Sequence, residues 1–149
     1  ILGDGVLRKE LEQYAQTHAP NKVVFMGQVS HVETNSYYDK ADVFVLPSIR
    51  ECGGAVVLEA MSRGLPVIAT AWGGPMDYIT AETGFLIEPK SRAYMVEQFS
   101  SAIDKLAQEP HLRYQLGEAG ITRIKQNFLW DKKTQDLITI YKKAVGDIA

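Results

Sequence analysis

Apolar positions along this chain fall into two rhythms. Lys22–Met26, Val43–Leu46, Val67–Thr70 and Gly84–Ile87 are short runs without polar alternation, the pattern of strands buried on both faces. Ile1-Leu2-Gly3 reads as the tail of a further strand. Between the runs the spacing turns helical. Leu7, Leu11 and Ala15 mark one helix, ended near Ala19-Pro20; others are expected around 33–40 and about 55–63, with a short piece near 76–80. Three helices close the chain: 91–108 with Val96, Phe99, Ile103 and Leu106 inward, 110–126 with Leu112, Leu116 and Ile124, and 131–146 with Leu137, Ile138, Tyr141 and Val145. Trp72 and Trp130 are expected in the core. Buried strands joined by helices predict an α/β, Rossmann-like parallel sheet with right-handed crossovers and helices on both faces. Such sheets bind ligands beyond the C-terminal ends of their strands. The 48–55 loop lies at one of those ends.

That loop carries the candidate chemistry. In Ser-Ile-Arg-Glu-Cys-Gly-Gly-Ala-Val-Val-Leu-Glu-Ala-Met (48–61), Glu51 and Glu59 stand eight positions apart around Gly53-Gly54 and the start of a helix. The glycines let bare backbone approach a ligand, and the first N–H groups of the helix point at the same spot. A helix start of this kind takes anions, phosphate above all. Glu59, about one turn inside, offers two oxygens to a vicinal diol such as a ribose. Glu51 lies on the other side of the phosphate position. The arrangement describes a nucleotide-sugar pocket. Blander readings stand beside it: a tight turn at Gly53-Gly54, a solvated Glu59, and Glu51 paired with Arg50.

Glu51 to Glu59 resembles the E-x7-E motif of the retaining glycosyltransferases of family 4, in the C-terminal, donor-binding half of the GT-B fold. Other blocks follow that pattern in order: Ile1-Leu2-Gly3-Asp4-Gly5, Phe25-Met26-Gly27-Gln28-Val29, Ala41-Asp42-Val43, Leu46-Pro47-Ser48, Gly64-Leu65-Pro66-Val67-Ile68-Ala69, Gly73-Gly74 with Asp77, and Thr83-Gly84-Phe85-Leu86-Ile87. The similarity runs from residue 1 to about 145. Gly53 departs from it, since the family usually has Phe there. The resemblance implies one donor-binding domain over 1–149, N-terminally truncated, from a longer two-domain protein. It implies base contacts from Met26, Gln28 and Val29, mainly through backbone, and ribose contacts from Glu59. Gly53 would let the ligand approach, and amides of Gly54, Ala55 and Val56 would hold the distal phosphate. Glu51 would bind sugar hydroxyls as the catalytic residue, and Asp77 would lie near the sugar. The donor would be a nucleoside-diphosphate sugar, a substrate rather than a cofactor. Its carbohydrate or lipid-linked acceptor would be held by an N-terminal domain that also carries an Arg/Lys clamp. The fragment alone would bind donor weakly and transfer nothing.

Composition narrows the alternatives. With 149 residues, 46% of them hydrophobic, the chain can bury a core. A net charge of −2 with scattered basic residues gives no footprint for nucleic acid. One cysteine excludes an internal disulfide and fits a reducing cytosol. The expected location is thus cytoplasmic, with room for peripheral association of the parent at the inner face of the membrane. No apolar stretch approaches a membrane span. Gly3-Asp4-Gly5 matches the start of a dinucleotide fingerprint, but Arg8 holds the third glycine position. Cys52 has no histidine at a spacing that suggests a dyad. No Asp-x-Asp pair or His/Cys cluster offers a metal site, and the pocket is expected to work without metal, as GT-B enzymes generally do. A nucleotide-sugar epimerase of the same fold and a non-catalytic sugar-nucleotide binder remain the alternatives. A cut domain would also expose an apolar face, so self-association is expected.

Overall fold

The computed structural model describes residues 1–146 and divides into two compact units, Ile1–Lys40 and the chain from Ala41 onward. The first unit contains helices α1 (Arg8–His18) and α2 (His31–Tyr38). Residues 1–3 run beside 26–27: Met26 N–H donates to the Ile1 carbonyl at 2.9 Å and Gly3 N–H to the Gly27 carbonyl at 2.8 Å. Only isolated bridges at Leu2, Gly3 and Gly27 result. The strand expected over 22–26 does not form. A strand needs a ladder as well as an apolar run, and here Val23 and Val24 stand exposed and, among the described residues, nothing pairs along them beyond the Ile1 nitrogen on the Val24 carbonyl. Helix α2 starts two residues earlier than the pattern suggested because Ser30 and Glu33 form a reciprocal capping box. The Ser30 hydroxyl, with its backbone N–H, holds the Glu33 carboxyl below the ordinary glutamate range.

The second unit runs β1 (Phe44–Leu46), α3 (Ala55–Ser62), β2 (Val67–Thr70), α4 (Pro75–Tyr78), β3 (Gly84–Ile87), α5 (Arg92–Gln108), α6 (Pro110–Asn127) and α7 (Trp130–Val145). Its sheet is parallel throughout, in the order β1-β2-β3, with Val45 beside Ile68 and Ile68 beside Phe85. This is the expected Rossmann-like arrangement. All four residues of β2 are buried. On a pleated strand that means both faces are covered. Ile68 and Ile87 join Phe99, Ala102, Leu106 and Leu116 in one cluster beneath α5 and α6. Val67 and Ala69 point to the opposite face, where α3 packs on β1 and β2 and buries Val57, Ala60 and Met61.

Burial is less even than the apolar runs implied. β1 is half-buried rather than buried on both faces, because β2 is its single hydrogen-bonded neighbour among the described strands. On α5, Phe99 and Leu106 are buried, but Val96 is 63% exposed and Ile103 is exposed too. The four apolar positions of α7 are also exposed, since that helix packs against α6 and buries no residue. Trp72 and Trp130, expected in the core, are 51% and 86% exposed. Among the described residues no helix is long and apolar enough to cross a membrane.

The contrast on α5 can be measured. Leu106 is 0% exposed, so Leu106→Ala should cost about 2–5 kcal/mol in urea unfolding through lost transfer energy and a cavity. Val96→Ala should stay within about 0.5 kcal/mol of the parent chain. Equal losses at the two positions would contradict the packing described.

Candidate functional site

The candidate residues fall in both units. In the first, Met26 and Gln28 are exposed and Val29 is half-buried. The segment before them is fixed by Arg8. Its guanidinium pairs with Asp4 at 2.8 Å and Glu12 at 2.7 Å, and donates to the Phe25 carbonyl at 3.2 Å. The Arg8 hydrogen bond holds the Asp4 carboxyl below its ordinary range. Arg8, at the position where a dinucleotide fingerprint needs glycine, is therefore a structural clamp across the Gly3–Gly5 turn.

In the second unit the structure brings Glu51, Gly53, Gly54, Ala55, Val56 and Glu59 together at the C-terminal end of β1. The chain leaves β1 at Leu46 and enters α3 at Ala55. Gly54 makes the turn with φ 64° and ψ 38°, the left-handed region that glycine enters without steric cost. No side chain caps the helix. Instead the Gly54 N–H donates to Oε1 of Glu51 at 2.9 Å, while its carbonyl accepts from Val57 N–H at 2.9 Å. One of the three amides expected on a phosphate is thus held by the protein's own carboxylate. Glu51 is half-buried by this contact.

Ala55 and Glu59 lie four residues apart and share one helix face, about 6 Å apart along the axis. Glu59 is half-buried between the buried Val57, Ala60 and Met61 and solvent, and its backbone carbonyl accepts from Ser62 Oγ at 2.7 Å. Gly53 is exposed and a Cβ there would meet nothing within 4 Å. Cys52 is exposed. Asp77 is exposed on α4, and its carbonyl accepts from Arg123 Nη2 at 2.9 Å.

Sequence reasoning missed a groove of about 660 Å³ at the same end of the sheet. Pro47, Ile49, Trp72, Pro89, Met95 and Phe99 line it, and none of residues 51–59 does. Trp72 lies two residues past the C-terminal end of the buried strand β2, and that position was the available signal. Among the described residues no three His, Cys, Asp or Glu side chains converge as a metal site.

Comparison with known proteins decides the family. The model for "Glycosyl transferases group 1" matches residues 1–123. The chain belongs to that family. A curated relative, an uncharacterized glycosyltransferase of Methanocaldococcus jannaschii, is 31% identical over 147 residues, which is 97% of this chain and 37% of that protein. Among solved structures, the sucrose-phosphate synthase of Thermosynechococcus elongatus aligns with TM-score 0.77 and 32% identity, over 95% of this chain and 35% of that one. The Anabaena protein HepE, solved with UDP-glucose, aligns with TM-score 0.60 and 25% identity, over 82% of this chain and 35% of that one. This chain thus spans little more than a third of each. The parallel sheet and its helices are those of GT-B glycosyltransferase structures.

The Glu51 bond predicts a stability effect separate from any ligand. Glu51→Ala leaves the buried Gly54 N–H without an acceptor, a loss of about 1–3 kcal/mol. Glu51→Gln keeps an acceptor oxygen and should recover most of that loss in urea titration. If Ala and Gln are equally stable, the carboxylate does not hold the turn.

Proposed function

We propose that this chain is the donor-binding part of a retaining glycosyltransferase of family 4, acting on a nucleoside-diphosphate sugar. One observation carries the reading. In a chain of the group 1 glycosyltransferase family, a left-handed glycine launches α3 at the ligand end of a parallel sheet, with Glu51 before it and Glu59 one turn beyond. The likeness to a protein solved with UDP-glucose supports the choice of ligand class.

In this reading the first turn of α3, beyond the Gly54 N–H that Glu51 holds, faces the distal phosphate, where the partial positive charge of the helix end also acts. As the glycosidic bond breaks, negative charge grows on the departing diphosphate. Fixed N–H groups then stabilise that charge more than they stabilise the ground state. Glu59 accepts from the two ribose hydroxyls. Glu51 has one oxygen committed to Gly54, and its second is assigned to sugar hydroxyls, which fixes the ring over the leaving phosphate. Acceptor recognition and the rest of the diphosphate clamp belong to the parent protein. We further propose that transfer by the parent needs no divalent ion.

Glu59→Gln tests the ribose assignment. It keeps size and one acceptor oxygen but removes the charge. Hydrogen bonds to charged groups contribute about 1.5–3 kcal/mol, so affinity for the best of UDP, GDP and ADP should fall roughly tenfold to a hundredfold. The corresponding 2′,3′-dideoxy nucleotide should bind the parent chain and the variant equally. Unchanged diphosphate affinity in Glu59→Gln would remove the ribose role. For the full-length parent, kcat/KM should survive EDTA; a drop beyond about tenfold, 1.4 kcal/mol of barrier, would show a metal requirement.

A further inference from the structure

We infer that Gly73 and Gly74, in the loop after β2, are positioning residues for the donor site, holding Glu51 and the start of α3 by direct backbone contact. The inference rests on the donor-binding reading above. Two loops that leave neighbouring strands lie one on the other. Gly74 N–H donates to the Cys52 carbonyl at 3.0 Å. Gly73 has φ 61°, and a Cβ on it would overlap the Glu51 carbonyl. A Cβ on Gly74 would overlap the Gly53 carbonyl in the same way. Each obstacle is backbone, which cannot swing aside as a side chain can. On the other side, a Cβ on Gly54 would come within 3.1 Å of Pro75 Cδ and 3.3 Å of Glu51 Cγ. The turn at 51–54 is therefore gripped between its own glutamate and the first residue of α4.

The grip is anchored from behind. α4 is four residues long and cannot hold itself in place by helical bonds. Arg123 of α6 reaches its C-terminal end, donating from Nε to the Tyr78 carbonyl at 2.6 Å and from Nη2 to the Asp77 carbonyl at 2.9 Å. A continuous path thus runs from α6 through α4 and Gly73-Gly74 to residues 51–54. Its output is the position of the Glu51 carboxylate and of the α3 amides. A site that reads a phosphate through fixed amides loses affinity when they shift by a fraction of an ångström. The two glycines touch no ligand in this account; they act through the turn they press upon.

A matched pair of methyl groups tests this. Gly74→Ala puts its methyl into backbone, whereas Gly5→Ala puts the same methyl into open space, away from residues 51–59 in the sequence. Binding to the 149-residue chain is measured by calorimetry, using the tightest of UDP, GDP and ADP and its own monophosphate. The monophosphate lacks the phosphate assigned to α3. In Gly74→Ala the diphosphate should lose about tenfold in affinity while the monophosphate stays within about twofold, and Gly5→Ala should keep the preference of the unsubstituted chain. A general structural defect would weaken both nucleotides together. If Gly74→Ala does not fold, Arg123→Met replaces it: the loops keep their steric fit, α4 loses its anchor, and the preference should fall severalfold. A parent chain that prefers the diphosphate and variants that keep the preference overturn the positioning role alone. A parent chain with no preference for the diphosphate overturns the donor reading, and this inference with it.

Discussion

The ligand end of the second unit depends on one close approach: the backbone of Gly73 and Gly74 lying against that of residues 51–53. A parallel sheet sets neighbouring strands about 4.8 Å apart, so the loops leaving β1 and β2 must either diverge or pack without side chains. Here they pack. The contact lies against the turn from β1 into α3, where a left-handed glycine begins the helix. The Glu51 carboxylate then fills the hydrogen-bonding need that a capping Ser, Thr, Asp or Asn meets in most helices. The same carboxylate thereby serves stability and the proposed sugar contact at once.

The groove beside Trp72 and the α3 start share one end of the sheet yet differ in chemistry. The groove is walled mainly by apolar side chains, with Ser91 and Arg92 on its lining, and the α3 start presents backbone polar groups. The separation follows from the chain path. Pro47, Ile49 and Trp72 follow the strand ends and face Met95 and Phe99 of α5, whereas 51–55 lead into α3 and present peptide groups at the helix end.

Much of the fold was legible in the sequence because it rests on local pattern. β2 and β3 were readable to the residue, since a four-residue apolar run between glycine and proline signals admits few alternatives. The long helices were readable from periodicity, to within a residue or two. Where the reading failed, the deciding partner was distant in sequence. Val23 and Val24 have the composition of a strand but no ladder among the described residues, and Val96, Ile103 and the apolar positions of α7 have helical spacing but remain exposed. Trp72 and Trp130 were assigned to the core on composition, and an aromatic ring alone does not say which surface it meets. At the site, Glu51, Gly54 and Glu59 were legible as a spacing. The bond from Gly54 to Glu51 was not, because three residues of loop can take many turns and the Gly73-Gly74 contact selects this one.

The first turn of α3, beyond the Gly54 N–H that Glu51 holds, is proposed to receive the distal phosphate of a nucleotide-sugar donor. The most direct measurement of this is a ¹⁵N-resolved NMR titration of the chain with UDP-glucose, and with GDP- and ADP-glucose in parallel. With one of these donors the largest amide shifts should fall at residues 55 and 56, at concentrations where glucose alone leaves them unmoved. Donor-induced shifts that leave residues 55 and 56 in place, or none with any of the three, would overturn the phosphate assignment.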